Sequence, residues 1–196
     1  MILSNYRFLV FNNNFYKKEF SKLNVYQNFS SEEFVNLESE KLINYFCCGK
    51  VLNRDFFTTR EIVHLADVKN LIILANFQLI LFLIVLAAIT LYLLFKKQQK
   101  MLIKRYQFAS QATLIAIGLS WFSSKLNFNF FFINFHYLAF QNDYWQLPES
   151  SNLIKLFPEQ FFADFANRVA LQTAIIASVI FIFTYLNLNK YATKKY

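Results

Sequence analysis

From Leu71 to Phe95 the chain carries no charged side chain, an uninterrupted run of 25 residues. Wound as an α-helix at about 1.5 Å per residue, such a run is about 37 Å long, more than the roughly 30 Å of hydrocarbon that a spanning helix crosses. Two more runs follow: 19 uncharged residues from Tyr106 to Ser124, between Arg105 and Lys125, and 21 from Val169 to Asn189, between Arg168 and Lys190. Each is about the minimum length for a span. A soluble helix this long carries a polar stripe on its exposed face, and none of the three does. Composition agrees, with 56% apolar, 20% aromatic and only 16% charged residues. The expectation is an all-α membrane protein, a helical bundle with three visible spanning helices.

Orientation follows from the lysines and arginines, which are retained in the cytoplasm when they flank a span. Lys96, Lys97, Lys100, Lys104 and Arg105 separate the first and second runs, and Lys190, Lys194 and Lys195 follow the third, with no acid among them. These eight account for the whole net charge of +8. The basic balance is therefore topology and calls for no nucleic acid. Residues 1–69 are expected as an outward-facing, partly helical N-terminal region. Residues 70–196 are expected as the membrane bundle, including an outer loop at 125–167, the whole forming one integrated multi-pass domain with a cytoplasmic C-terminus.

In the N-terminal region, Ser30 and Glu33 have capping-box spacing ahead of Phe34, Leu37, Leu42, Tyr45 and Phe46, which predicts a packing helix. Cys47 and Cys48 are adjacent, compatible with a vicinal disulfide or with two inert thiols, and receive no role. Both prolines, Pro148 and Pro158, fall in the outer loop and restrict its shape.

The chain has two histidines, His64 and His136, and the topology places both on the extracellular face. Thr58 and Glu61 have capping-box spacing, so a helix is expected to start there and run into the first span. On it Glu61, His64 and Asp67 recur every three residues, where a carboxylate can orient an imidazole. Solvated interface charges are the equally weighted alternative at this point. A helix continued from Tyr106 would carry His136 about 45 Å along, past the hydrocarbon core. The aromatic stretch from Asn127 to Phe140 is therefore expected to turn and lie along the outer interface, either as part of a site or as an anchoring belt.

The blocks Arg60, Glu61, His64, Asp67, Val68, Lys69 and Phe135, His136, then Asn142, Asp143, Trp145, Pro148, Leu153, Ile154, Leu156, Phe157, Pro158, Glu159, Phe161, Phe162 resemble a family of bacterial integral membrane proteins that includes the lipoprotein intramolecular transacylase. The likeness runs roughly from Phe15 to Leu186. It implies an acyltransferase in the cell membrane of a Gram-positive bacterium, acting on diacylated lipoproteins among membrane lipid and needing no cofactor. One acyl chain would move from the glycerol sn-2 ester to the α-amino group of the lipid-bearing N-terminal cysteine, leaving a lyso-form lipoprotein.

The family's two essential histidines match His64 and His136, with Glu61, Asp67, Asn142, Asp143 and Trp145 expected in supporting roles and no metal. The substrate brings its own nucleophile, so no serine or cysteine elbow is required. An α-amino group of pKa about 7.7–8.0 is within range of an imidazole of about 6.5 acting as base. The other imidazole is expected to protonate the leaving oxygen or steady the oxyanion, with the two roles not yet divided.

Two departures accompany the likeness. The family has a fourth, earlier spanning helix with no counterpart before Met1–Arg7, which implies an internal start or a shortened, possibly inactive member. Tyr137 also stands where family members often carry an acidic residue. Two other function classes compete. One is a metal-dependent membrane hydrolase with His64, His136, Glu61 and Asp143 as ligands, and the other is a non-enzymatic membrane partner that docks through the aromatic stretch.

Overall fold

A computed structural model describes the backbone of residues 1–193 and the side chains of residues 1–190, so Lys194 and Lys195, used above for orientation, lie outside the described residues. The described residues are helical throughout: α1 (Ile2–Val10), α2 (Asn13–Lys22), a short 3₁₀ turn (Val25–Asn28), α3 (Glu32–Cys48), α4 (Thr59–Phe95), α5 (Gln99–Leu126), α6 (Phe128–Ala139), α7 (Asn152–Leu156) and α8 (Glu159–Thr193).

Two helices, α4 and α8, are long and apolar enough to cross a membrane. They are not the buried core of a soluble protein. Along α4, Phe77, Phe82, Ile84 and Leu91 are each more than 60% exposed, a continuous apolar surface that water would not tolerate.

The third expected span is corrected on composition. α5 is one continuous helix, but Gln107, Ser110, Gln111, Thr113, Ser120, Ser123 and Ser124 dilute its apolar residues below the hydropathy of the other two. Those small and polar residues have a packing consequence. α5 and α8 form the most extensive helix pair of the molecule, with Ser110, Thr173, Ala177 and Thr184 buried, and small side chains let helices approach closely where lipid offers no hydrophobic drive. The Thr90 and Tyr106 hydroxyls, 2.8 Å apart, tie α4 to α5 near their turn.

Helix α1 lies against α8 and α4. Asn5 Nδ2 donates to Thr173 Oγ1 at 2.9 Å and Arg7 donates to Asn76 Oδ1 at 3.1 Å, partners that sit inside the apolar stretches of both long helices. The rest of the N-terminal region shares one hydrophobic core with the start of α4 and with α7 and the start of α8. Phe15, Tyr16, Phe20, Val35 and Leu42 pack in one cluster with Leu65, Leu156, Phe157 and Phe161.

The helix predicted near Ser30 forms one residue later, because Ser31 Oγ, and not Ser30, accepts the Phe34 N–H. Leu37, expected on the packing face, is 49% exposed. Cys47 and Cys48 are joined as a vicinal disulfide at the end of α3.

Candidate active site

Helix α4 begins with the capping box that its sequence predicts. Glu61 N–H donates to Thr58 Oγ1, and Glu61 Oε2 accepts both the Thr58 N–H at 2.6 Å and the Thr58 hydroxyl at 2.8 Å. One further bond is not local. The other carboxylate oxygen of Glu61, fully buried, accepts the Leu153 N–H at 2.7 Å from the first turn of α7. Asn152 adds a bond from its side chain to the Phe56 carbonyl at 2.6 Å. The outer loop is thereby fastened to the point where α4 starts, and His64 lies one helical turn inside that point.

The other histidine is delivered by a break. α5 ends at Leu126 and Asn127 is extended, so the chain turns before the helix overshoots. Asn127 then caps α6 by accepting the Phe130 N–H at 3.0 Å. His136 falls near the far end of α6, where its Nδ1 meets the Phe132 carbonyl at 2.7 Å, one turn earlier. A carbonyl only accepts, so this bond places the proton on Nδ1 and leaves Nε2 with its lone pair.

The two imidazoles face each other with ring centroids 6.0 Å apart and planes at 33°. Both are buried, His64 to 8% and His136 to 9% exposure. Two hydrogen bonds of about 3 Å span such a gap, so one substrate group fits between the rings. The walls are aromatic. Phe140 lies 4.9 Å from His64 and 5.5 Å from His136, Phe132 lies 4.4 Å from His136, and Trp145 lies 5.0 Å from it at 35°. Tyr137 braces the Trp145 ring edge-on at 5.0 Å, which is the use this chain makes of the position after His136.

Burial pushes His136 below its ordinary value, opposed in part by the Phe132 carbonyl. On the His64 ring, Nδ1 is buried and has no hydrogen-bond partner. A bare lone pair tolerates that setting better than an unpaired N–H, which puts the His64 proton on Nε2.

The carboxylates expected beside His64 are engaged elsewhere. Glu61 spends its oxygens on Thr58 and Leu153, and Asp67 Oδ2 accepts Asn142 Nδ2 at 2.9 Å. Asp143 contributes through its main-chain carbonyl, which accepts the Arg60 guanidinium, while its carboxylate accepts Gln146 at 3.4 Å. The ligand set of a metal hydrolase is not brought together, since Glu61 caps a helix and Asp143 is exposed. Among the described residues no group of three or more His, Cys, Asp or Glu is placed to hold a metal ion.

Three contributors escape the sequence reading: Arg60, Phe132 and Phe140. The last two stand four residues before and after His136, the spacing that brings side chains together along a helix, so their signal was present.

The family model described as lipoprotein intramolecular transacylase Lit matches residues 1–162. The in meso structure of the membrane-integral lipoprotein intramolecular transacylase Lit from Bacillus cereus aligns over 98% of this chain and 90% of its own, with a TM-score of 0.86 and 23% identity. Two variants of that protein, each with one histidine replaced, by arginine or by alanine, align over 98% of this chain and 87% or 88% of theirs, with TM-scores of 0.80 and 21% identity. No curated protein sequence matches the chain.

Proposed function

This chain belongs to the lipoprotein intramolecular transacylase family of membrane acyltransferases, and on that premise we propose how its two histidines move the acyl group. The substrate is a diacylated lipoprotein whose sn-2 ester carbonyl and N-terminal cysteine amine enter the gap between His64 and His136 together. The neutral amine attacks the ester carbon while Nε2 of His136 takes its proton. A C–N bond forms, and the oxyanion of the tetrahedral intermediate accepts the Nε2–H of His64. Collapse breaks the C–O bond, and the His136 imidazolium returns its proton to the departing sn-2 oxygen. Nitrogen gains the acyl group, the glycerol regains a hydroxyl, and both imidazoles end as they began.

The observation that carries this division of labour is the His136 Nδ1 contact with the Phe132 carbonyl at 2.7 Å, which commits the opposite nitrogen to accepting. The aromatic walls serve it too, because a dry site strengthens the single hydrogen bond offered to the oxyanion. Donor and acceptor belong to one molecule, so holding them in register supplies much of the rate without a protein nucleophile.

The site is read as lying at the outer leaflet of the cell membrane. Its support is the charge distribution, with Lys96, Lys97, Lys100, Lys104 and Arg105 at the opposite end of α4 and α5 from both histidines. In that reading α2, α3 and the loop after α6 form an outward cap on the bundle.

The experiment is mass spectrometry of the N-terminal peptide of a lipoprotein co-expressed with the full chain, its His64→Ala form and its His136→Ala form. Conversion to the N-acylated lyso-form by the unsubstituted chain and by neither variant is expected. A peptide that stays diacylated with the unsubstituted chain overturns the reading.

A further inference from the structure

Beside the two imidazoles runs a chain of contacts that the transfer itself does not use. Asn142 Nδ2 donates to Asp67 Oδ2 at 2.9 Å, and Asn142 Oδ1 accepts the Tyr144 N–H at 3.0 Å. The second bond is an Asx turn, a side chain closing on its own backbone two residues on. It reverses the chain soon after Phe140 and brings Trp145 back over His136 at 5.0 Å. Both ends of the Asn142 amide are therefore occupied, one by the helix that carries His64 and the other by the turn that carries Trp145. Arg60 supports the same turn from the start of α4, donating to the Asp143 carbonyl and covering the Tyr144 ring at 5.6 Å.

We propose that Asp67 is a positioning residue for the acyl transfer: through Asn142 it fixes the turn that holds the Trp145 ring against His136. Asp67 stands three residues beyond His64 on α4, and a direct effect of its charge on His64 is the competing account. Geometry favours the indirect one, because the carboxylate already accepts a hydrogen bond from a loop 75 residues later in the chain. The catalytic half of this inference rests on the transacylase reading above, whereas the structural half does not.

Asparagine at 67 separates the two accounts, since it keeps an oxygen for the Asn142 amide and loses the charge. Asp67→Ala and Asn142→Ala are each expected to lower kcat about 10- to 100-fold, as small misplacements at a preorganised site do, with KM little changed. The double variant is expected to be no worse than the poorer single one, because both remove one contact. Asp67→Asn is expected to recover most of the rate with the pH profile in place.

The second readout is the emission of Trp145 in the full chain carrying Trp121→Phe, which leaves one tryptophan of the two. Asp67→Ala and Asn142→Ala are expected to shift it to the red as water reaches the ring, and Asp67→Asn is not. An Asp67→Asn form as slow as Asp67→Ala, with a displaced pH profile, overturns the proposal in favour of a charge effect. Unshifted emission in both alanine variants overturns it outright. Should the unsubstituted chain transfer no acyl group, the emission series judges the positioning by itself, and the two failures remain distinct.

Discussion

The two histidines stand 6.0 Å apart and are held in opposite ways. Around His64, the outer turns of α4 carry Arg60, Glu61 and Asp67, and each reaches across to the loop that follows α6. Around His136, the neighbours are rings, with a single backbone carbonyl fixing the tautomer. Polar side chains near this site join its two halves, and the space between the imidazoles is left to aromatic walls. In a membrane protein that arrangement has a reason, since a hydrogen bond offered to a developing charge is worth more where water is excluded.

The comparison breaks first at the imidazoles. Removing either one, His64→Ala or His136→Ala, is expected to lower conversion of a co-expressed lipoprotein by about 10²- to 10⁴-fold, the range of a general acid–base contribution, as read by mass spectrometry. The two sides then separate by what is lost. Glu61→Ala strips partners from the buried Leu153 N–H and from the Thr58 cap, and is expected to cost about 2–4 kcal/mol in stability, seen as a lower thermal midpoint in detergent. Trp145→Ala is expected to leave that midpoint nearer the original while slowing the reaction about 10-fold, because it opens a wall without breaking a tie.

The pH profile sharpens the point. His136 titrates below its ordinary value of about 6.5 because it is buried, so its neutral, proton-accepting form persists as pH falls through that value. The sign for stability is the reverse of a benefit: the unfolded imidazole takes up a proton near 6.5 and the folded one resists, so stability falls as pH drops below about 6.5. Trp145→Ala lets water in and is expected to move the acid limb of kcat/KM upward. The smallest effect belongs to the vicinal pair. Cys47→Ser with Cys48→Ser, at an exposed end of α3, is expected to change stability by less than about 0.5 kcal/mol, by the same thermal measurement.

What was legible in the sequence was local or absolute. The capping box at Thr58 and Glu61, the need for a break before His136, and the spans of α4 and α8 follow from spacing and length, which need no partner. The apolar run in α5 was legible as a helix but not in its hydropathy, because absence of charge is a weaker condition than presence of hydrocarbon. The misread part was the use of the carboxylates. Spacing put Glu61 and Asp67 beside His64, whereas their oxygens serve Leu153 and Asn142, 92 and 75 residues away, and no helical period encodes a partner at that distance. The aromatic box was half legible: Phe132 and Phe140 stand at helical spacing from His136, while Trp145 returns through an Asx turn whose acceptor is its own chain.

The bond between Glu61 and Leu153 also dates the site within the life of the chain. A ribosome delivers α4 long before it delivers α7, so through the synthesis of some ninety residues, the 92 that separate the two partners, Glu61 waits with one oxygen unclaimed. During that interval His64 is present and His136 may already be inserted, yet nothing ties one to the other. The site is assembled at the last stage of biogenesis, when residue 153 arrives to close it, and two co-produced fragments divided inside the α4–α5 turn have every contact needed to close it from separate chains.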